Sequence, residues 1–426
     1  MPQNIGDNRI SEVGIARIAP DDAQRLSKYL VKTGDIVYSR RGDVERRSLI
    51  RDHENGWLCG TGCLRVSFGE KRVVHPPYAA YYLGHPLVRE WIVRHAQGAT
   101  MPNLNTSILS ALPFVLPPFE EQERIAGILA DLEDKIELNR QINQTLEQIA
   151  QAIFKSWFVD FEPVKAKIEA KAAGRDPERA AMCAISGKLE PELDQLPPEH
   201  YQQLAATAAL FPDELVESEL GLIPVGWEVK RLDSFAALNT KSVSPNTEPE
   251  SNFEHYSIPA FDAAGRPVYE SGESIKSNKY KVEPHSVLVS KLNPETPRIW
   301  LPNVQTSRAV CSTEFMQFVP KSKVDRPYLF LLMKSETMQS EILQRVTGST
   351  GSRQRAQPSQ IAVLPVALPS AELRLAFSGM VSSLLNQIAL QVGQGETLAT
   401  LRDTLLPKLL SGEMTVESAQ DEVAVC

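Results

Sequence analysis

The fold is decided by residues 117–161, which read PPFEEQERIAGILADLEDKIELNRQINQTLEQIAQAIFKSWFVDF. The two prolines and the acidic first turn are typical of a helix start, because the positive end of the helix dipole favours carboxylates. Apolar residues then recur every three or four positions, which is the period of a coiled-coil seam. A helix of roughly forty residues is about 60 Å long. Its narrow apolar stripe therefore requires a partner helix.

The partner is in the same chain, because the sequence repeats one unit. SKYLVKTGDIVYSRRG at 27–42 matches SNKYKVEPHSVLVSKLNP at 277–294, and LPFVLPP at 112–118 matches LPVALPS at 364–370. A Gly-Ala-Thr triplet at 98–100 and a Gly-Ser-Thr triplet at 348–350 keep nearly the same offset. Self-similarity over so many marks indicates a duplicated domain followed each time by a long helix.

The seams of the two helices coincide at a constant offset of 252 residues. The predicted seam consists of Ile125, Leu129, Leu132, Ile136, Leu146, Ile149 and Ile153 in the first helix and Phe377, Val381, Leu384, Ile388, Leu398, Leu401 and Leu405 in the second. The polar residues Asn139 and Gln391 also coincide, and polar residues in a seam commonly fix register. If a pseudo-two-fold axis relates the units, the helices pair in antiparallel fashion with one globular domain at each end.

The predicted fold class is α+β, with two α/β domains separated by two long helices that form an antiparallel coiled coil, and with a pseudo-two-fold internal repeat. The predicted boundaries are 1–117 for the first domain, 118–162 for the first helix, 163–216 for a loose linker, 217–370 for the second domain, 371–413 for the second helix and 414–426 for a flexible tail. Predicted elements of the domains are strands at Asp35–Ser39, Cys63–Phe68, Ser286–Ser290 and Glu314–Val319, and a helix at Tyr78–Arg94.

Composition limits the class of protein. A chain of 426 residues should contain two or more domains. It has no run of about eighteen apolar residues and no signal-like start, so we expect a cytoplasmic protein without a membrane span. The net charge of −8 hides an asymmetry: residues 1–117 contain 15 basic and 11 acidic residues, whereas residues 118–216 contain 10 and 19. Two kinds of surface with different partners, or simply Glu-rich solvated helices, would explain this pattern.

Motifs for catalysis are weak. The sequence HPPY at 75–78 looks like a base-holding motif of amino-methyltransferases, but His75 is not one of that motif's acceptor residues. Cys59 and Cys63 could be combined with His53 or His75 as zinc ligands, but they lack a second ligand pair at zinc spacing. The chain also lacks a phosphate-binding loop and a nucleophile elbow. We therefore expect no catalytic residue and no metal site.

The basic and amide residues on the predicted loops indicate binding more strongly than the motifs above indicate catalysis. Arginine, asparagine and glutamine on loops can contact phosphates and the edges of G and A in the major groove. Taken singly, each such residue is more often a solvated loop residue. The predicted DNA-binding set is Arg40, Arg41, Arg46, Arg47, Thr100, Asn103 and Asn105 in the first unit and Lys291, Asn293, Arg298, Ser349, Thr350, Arg353, Gln354 and Arg355 in the second.

The sequence resembles the DNA specificity subunits of type I restriction-modification systems. The marks are LPPFEEQERIAGIL at 116–129, LRDTLLPKLLSGEM at 401–414, GWEVKRL at 226–232 and the triplets that precede each L-P. The resemblance implies two target recognition domains, each reading half of a bipartite DNA site, and no active site. It implies methyltransferase subunits on the helices and motor-nuclease subunits in the full complex, with S-adenosylmethionine, ATP and Mg²⁺ bound by those partners. It also implies methylation of one adenine in each half-site and a role in phage defence.

The chain departs from the family pattern at its start. The opening of the second domain, GLIPVGWEVKRL at 221–232, has no counterpart before the first domain. A truncated gene, a late start codon or a replacement segment would each explain the difference. Two other functions stay open at this point. The chain could be a coiled-coil scaffold that assembles partners without reading DNA sequence, or a fused nuclease-methyltransferase, which the missing motifs disfavour.

Overall fold

The computed structural model describes residues 1–69, 71, 73–98, 101–347, 354–411 and 413–424. The helices are α1 (Pro20–Arg25), α2 (Pro76–Gly84), α3 (Pro86–His95), α4 (Thr106–Ser110), α5 (Phe119–Phe158), α6 (Glu162–Ala172), α7 (Pro177–Ser186), α8 (Glu190–Leu193), α9 (Pro198–Ala208), α10 (Leu232–Phe235), α11 (Ile258–Ala264), α12 (Arg326–Lys334), α13 (Glu336–Gln344), α14 (Pro358–Ala362), α15 (Ala371–Ser411) and α16 (Val416–Ala424).

The strands are short. They are β1 (Ile36–Ser39), β2 (Arg47–Leu49), β3 (Cys63–Val66), β4 (Leu215–Ser218), β5 (Gly221–Pro224), β6 (Glu228–Arg231), β7 (Ala236–Asn239), β8 (Ser242–Val243), β9 (Asn252–Tyr256), β10 (Val268–Ser271), β11 (Lys279–Lys281), β12 (Val287–Ser290), β13 (Ile299–Trp300), β14 (Ala309–Cys311), β15 (Phe315–Pro320), β16 (Val346–Thr347), β17 (Arg355–Ala356) and β18 (Pro365–Leu368). The four strands predicted from the sequence are present within one or two residues at each end.

The chain forms two compact units. Unit 1 contains residues 1–141 and 391–426, and unit 2 contains residues 142–390. The sheet of unit 1 has the antiparallel order β2-β1-β3. Unit 2 has a four-stranded sheet, β13-β12-β15-β7, and a five-stranded sheet, β10-β9-β14-β11-β8, in which β9 and β14 are parallel. Both units are mixed α and β, as predicted.

The two long helices pair in antiparallel fashion. In unit 1, the beginning of α5 packs with the end of α15, where Leu132 shares a core with Leu405 and Arg402 pairs with Glu133 at 3.8 Å. In unit 2, the end of α5 packs with the beginning of α15, where the rings of Trp157 and Phe377 are 5.6 Å apart. The pairing predicted from the matching stripes is therefore present inside each unit.

One predicted seam residue is wrong. Ile149 is 43% exposed, whereas the other predicted seam residues are buried or partly buried. It lies in the section of α5 between Leu132 and Ala150, where no side chain is fully buried. An α-helix with 3.6 residues per turn drifts against a strict 3.5-residue repeat, which turns this position outward. The buried stripe is also wider than predicted and includes Phe154 and its equivalent Leu406.

Residues 163–216 are not a loose linker. Helices α6 to α9 occupy most of this segment and have a small core of their own, made by Ala181, Met182, Leu193 and Ala208. The Lys167 ammonium is buried and donates hydrogen bonds to Glu178 and to the carbonyl oxygen of Phe211, each at 2.7 Å. The acidic, proline-rich composition reflects short helices that begin at prolines.

Residues 414–426 are not a flexible tail over their described part. Helix α16 packs in the core of unit 1, where Val416 and Ala419 are buried. Helix α16 is equivalent to α6 at the same offset of 252 residues. At this offset Val416 corresponds to Val164 and Ala419 corresponds to Lys167, and all four residues are buried. The duplicated unit therefore includes a further helix after the long one, which the sequence comparison did not detect because the two copies share few residue types.

The predicted helix Tyr78–Arg94 is two helices. Pro86 cannot donate a backbone hydrogen bond, and the preceding residue is pushed out of the helical region. His85 accordingly has φ −59° and ψ 137°, and its side chain accepts a hydrogen bond from the Leu87 amide at 3.3 Å. The break between α2 and α3 has the same form as the break between α12 and α13 at Ser335.

Among the residues that the structure describes, one helix is long and apolar enough to cross a membrane by length and composition alone. It is α15, which contains an 18-residue window with mean hydropathy 1.3, of which 22% is buried. Polar residues interrupt the apolar residues throughout 371–411, so the expectation of a chain without an unbroken apolar run or a membrane span stays a prediction. A single helix of this kind is weak evidence for a span, because core helices pass the same test. Leu373, Phe377 and Val381 of α15 are indeed buried in the core of unit 2.

Candidate nucleic-acid interface

In unit 1, three segments meet where β1 ends. The Arg40 amide donates to the carbonyl oxygen of Gly62 at 2.9 Å, and the Leu104 amide donates to the carbonyl oxygen of Arg40 at 2.9 Å. The Gly42 amide donates to the carbonyl oxygen of Pro102 at 3.0 Å. Gly42 has φ +76°, a conformation that favours glycine. These main-chain bonds join residues 40–43, 60–63 and 101–105, which we call the first loop cluster.

Unit 2 contains the same arrangement. The Lys291 amide donates to the carbonyl oxygen of Glu314 at 2.9 Å, and the Ala356 amide donates to the carbonyl oxygen of Lys291 at 2.9 Å. The Asn293 amide donates to the carbonyl oxygen of Gln354 at 3.1 Å, and Asn293 also has a positive φ, +47°. Residues 291–294, 312–315 and 354–356 form the second loop cluster. The two sets of loops that the sequence predicted separately are thus adjacent within each unit.

The serine before each loop is also equivalent. Ser39 and Ser290 end the strands β1 and β12, and both are buried. The Ser39 hydroxyl donates to the carbonyl oxygen of Arg41 at 3.0 Å, and the Ser290 hydroxyl donates to the carbonyl oxygen of Leu292 at 3.0 Å. The turn that presents each loop is therefore fixed from inside the sheet.

The first loop cluster presents basic and amide side chains. Arg41 is exposed and forms no ion pair with any residue that the structure describes. Arg46 is partly exposed and pairs with Asp43. The Arg40 Nε and the Asn103 Oδ1 are buried without a hydrogen-bond partner in the described chain. Unpaired groups of this kind are uncommon in a protein interior, where water, an ion or a ligand can satisfy them.

Arg47 is not available to DNA. Only 4% of its side chain is exposed, its Nη1 lies 2.6 Å from Asp7, and its Nε donates to the carbonyl oxygen of Ala80 at 3.0 Å. Desolvation acts to raise the pKa of Asp7, but the guanidinium groups of Arg47 and Arg89 outweigh it and hold that pKa below its ordinary value. Arg47 therefore connects β2, α2 and the N-terminal segment, which corrects its assignment as a binding residue.

Two further predicted residues have structural roles. The Asn105 Oδ1 accepts hydrogen bonds from the Ile108 amide at 2.9 Å and from the Ser107 hydroxyl at 2.7 Å, so Asn105 is the N-cap of α4. Arg298 donates to both carboxylate oxygens of Asp262, at 2.6 and 2.9 Å, and its side chain is 13% exposed. Neither side chain is free to read DNA in this conformation.

In the second loop cluster, Lys291 and Gln354 are partly exposed. Arg355 lies on β17, is 43% exposed, and donates to both carboxylate oxygens of Glu314, at 3.0 and 3.2 Å. The Asn293 Oδ1 is buried without a partner in the described chain. The predicted residues Thr100, Ser349, Thr350 and Arg353 lie outside the described residues.

The acidic partners of these arginines were missed by the sequence analysis. Asp7 is 40 residues from Arg47, Asp262 is 36 residues from Arg298, and Glu314 is 41 residues from Arg355. No local pattern links residues so far apart in the chain. Only the spacing of Asp43 and Arg46, three residues apart, could have been recognised.

The weak catalytic motifs gain no support. His75 packs edge-on against Phe119 and its amide donates to Gln122 at 2.8 Å, so the HPPY sequence is the start of α2. Cys59 and Cys63 pack beside the cluster of Val31 and Val37, and burial raises the pKa of Cys59 to about 11. Within the described part of the chain, no group of three or more His, Cys, Asp or Glu could hold a metal ion.

Comparison with known proteins identifies the family. Residues 5–148 match the model of the type I restriction modification DNA specificity domain. The chain is 30% identical over 420 residues to the type I restriction enzyme HindI specificity subunit of Haemophilus influenzae, and the match covers 92% of this chain and 89% of that protein. It is 25% identical over 349 residues to the MjaIX specificity subunit of Methanocaldococcus jannaschii, covering 80% of this chain and 69% of that protein.

Two solved structures are also similar. Each is 14% identical in sequence, and each match covers 90% of this chain. The S subunit of a type I restriction-modification system from M. genitalium has a TM-score of 0.48 with 84% of its chain covered. The HsdS subunit from Thermoanaerobacter tengcongensis has a TM-score of 0.29 with 82% covered. On the evidence of its sequence relatives, the chain belongs to the family of type I restriction enzyme specificity subunits. Such a subunit implies DNA and the other subunits of a restriction-modification complex as partners, and a role without catalysis of its own.

Proposed function

We propose that this chain reads a bipartite DNA site, with the first loop cluster contacting one half-site and the second loop cluster contacting the other. The observation that carries the proposal is the construction of the two clusters by the same main-chain hydrogen bonds at equivalent positions, for example Leu104 to Arg40 and Ala356 to Lys291. Two similar frames that present different side chains suit two half-sites of different sequence.

The long helices would set the distance between the half-sites. Half-sites read from one face of B-DNA lie roughly 34–36 Å apart. The helices α5 and α15 are continuous over 40 and 41 residues. Insertion of one helical turn into both helices would add about 5.4 Å, so we expect the spacer between the half-sites to increase by about one or two base pairs.

The same helices would bind methyltransferase subunits, with motor-nuclease subunits joining in the full complex. One exposed leucine lies at an equivalent position of each helix, Leu138 on α5 at 56% and Leu390 on α15 at 70%, at the offset of 252. Single exposed leucines are common on protein surfaces, so the docking proposal is supported by the family of the chain and not by these two side chains alone. S-adenosylmethionine, ATP and Mg²⁺ would bind to those partners, where methylation of an adenine in each half-site and cleavage would occur.

The test is to express the chain with its methyltransferase and motor subunits and to sequence N6-methyladenine in the genomic DNA of the host. The proposal expects one bipartite motif with a fixed spacer. Binding of a duplex with this motif by the purified complex should exceed binding of a shuffled duplex and should fall steeply with salt. Equal binding of both duplexes would favour the coiled-coil scaffold and overturn DNA reading.

A further inference from the structure

Arg355 is held in a defined orientation by Glu314. Its Nε donates to Glu314 Oε2 at 3.0 Å and its Nη2 donates to Glu314 Oε1 at 3.2 Å. A guanidinium carries five N–H donors in a planar fork. The carboxylate occupies the edge formed by Nε and Nη2, so the edge formed by Nη1 and the second Nη2 proton has no bond to a residue that the structure describes.

Arg298, in the same unit, shows how an arginine with only structural contacts differs from Arg355. Arg298 also binds a carboxylate through Nε and Nη2, that of Asp262, but its Nη1 donates to the carbonyl oxygen of Thr296 at 3.3 Å. Its side chain is 13% exposed, compared with 43% for Arg355. Both arginines are fixed, but Arg355 alone of this pair retains an open donor edge toward solvent.

The backbone position of Arg355 suits entry into a DNA groove. It lies on β17, which pairs with β16 in a two-stranded ribbon, where Thr347 is opposite Arg355. An isolated bridge between Leu292 and Arg355 attaches this ribbon to the loop that follows β12. The major groove of B-DNA admits a two-stranded β-ribbon. A ribbon residue with a fixed guanidinium can therefore approach base edges.

We infer that Arg355 reads a guanine in the half-site of the second loop cluster and that Glu314 is a positioning residue for it. This inference rests on the proposed function. Guanine presents two acceptors in the major groove, N7 and O6, which match the two donors of the open guanidinium edge. Adenine presents an acceptor and a donor, so its amino group would face an N–H of Arg355. The pairing thus selects guanine over adenine.

The equivalent position in unit 1 carries different chemistry. At the offset of 252, Asn103 corresponds to Arg355 and Gly62 corresponds to Glu314. The backbone bonds are the same, but an amide replaces the guanidinium and the carboxylate is absent. The guanine preference that depends on Arg355 should therefore occur in only one half of the site. The other half of the same DNA motif then serves as an internal reference.

The experiment compares the methylation motifs of the complete complex containing wild-type chain, Arg355→Ala, Arg355→Lys or Glu314→Gln. Arg308→Ala is the matched control. Arg308 immediately precedes β14 and also forms an ion pair with a glutamate, Glu248, in which both side chains are exposed. Arg355→Ala should relax one guanine position in one half-site, by about 5- to 150-fold in preference. Arg355→Lys should relax it too, since an ammonium cannot form the fork, and Glu314→Gln should do so partially.

Each outcome has a separate meaning. Co-purification with the partner subunits and unchanged methylation of the other half-site would show that the variants fold. If the wild-type motif is bipartite and Arg355→Ala leaves it unchanged, the inference is wrong while the proposed function stands. A uniform loss of affinity for all duplexes, with a shallower salt dependence, would make Arg355 a phosphate contact and would also overturn it. A wild-type complex without any bipartite motif would overturn the proposed function itself.

Discussion

The guanidinium of Arg47 lies 2.6 Å from the carboxylate of Asp7, and Arg89 binds the same carboxylate from α3. This cluster connects the N-terminal segment to the sheet and to a helix of unit 1. Arg47→Ala should destabilise unit 1 by about 1–3 kcal/mol, because the carbonyl oxygen of Ala80 loses a buried donor. Hydrogen exchange of residues 36–49 and 78–84 would measure the effect.

The adjacent Arg46 is the control for that prediction. Arg46 is about half exposed and pairs only with Asp43 three residues away. Exposed pairs of this kind contribute little, so Arg46→Ala should change stability by less than about 0.5 kcal/mol. Equal exchange behaviour of the two variants would contradict the structural role assigned to Arg47.

The Asp7 cluster also predicts an acid limb in the stability of unit 1. Because the folded pKa of Asp7 is below its ordinary value of 3.8, its contribution to stability is fully present above that ordinary value and is lost as the pH falls through the lowered folded pKa. Asp7→Asn removes the titrating group and should flatten this part of the profile. Unfolding followed from pH 7 to pH 3 would show whether the two profiles converge at low pH.

Arg41 is the residue in which the electrostatic part of DNA binding should be clearest. It is exposed and without an ion pair in the described chain. Arg41→Ala in the assembled complex should weaken binding of all duplexes to a similar extent and reduce the slope of log affinity against log salt by about 1. Fluorescence anisotropy over a salt series measures both quantities. Arg25→Ala is the control, since Arg25 is equally charged but pairs with Asp22 on α1.

The helix pair should tolerate a charge at one predicted seam position and not at another. Leu132 is fully buried, so Leu132→Glu places a carboxylate in an apolar core and should cost about 4 kcal/mol or more, with loss of assembly. Leu384→Glu should act in the same direction but less strongly, because Leu384 is only partly buried. Ile149→Glu should be nearly neutral. Thermal unfolding and size-exclusion chromatography with the partner subunits would detect a reversal of this order.

Helix α16 should be necessary for the stability of unit 1. Val416→Asp puts a charge into the core that Val416 shares with Leu129 and Leu405, so we expect a loss of about 2–4 kcal/mol. Ser418→Asp on the exposed face of the same helix is the matched control. Limited proteolysis would distinguish them. Resistance of both variants to cleavage would mean that the tail is dispensable after all.

Much of the architecture could be predicted because it depends on local periodicity. The stripe through Leu129 and Val381 and the strands around Val37 and Leu288 are recorded in the spacing of apolar residues. The aligned tyrosines also proved equivalent: the Tyr78 hydroxyl donates to the carbonyl oxygen of Val115, and the Tyr328 hydroxyl donates to that of Ala367. A duplication helps to identify such positions, because a residue type that occurs at the same place in both copies indicates a shared structural role.

The errors at the candidate site come from contacts between residues far apart in the chain, whereas the errors in the helices have local causes. Arg47 and Arg298 look like free basic residues until Asp7 and Asp262 fold against them. The segment with α6 to α9 looks like a linker because its helices are short and its core is small. Ile149 depends on a drift of the helix surface that a fixed repeat does not include. Which loop side chains face a ligand is likewise decided by tertiary packing.

The main-chain frame of the loop clusters makes the stability of the loops independent of the side chains that the loops present. The amides of Gly42 and Asn293 and the carbonyl oxygens of Arg40 and Lys291 hold the loops together, and every residue type supplies those carbonyl oxygens. Side chains at 40, 41, 103, 291 and 355 can therefore be exchanged while the frame persists. A lineage carrying this scaffold could acquire new recognition sequences by point substitution, without first having to evolve a compensating change in the core.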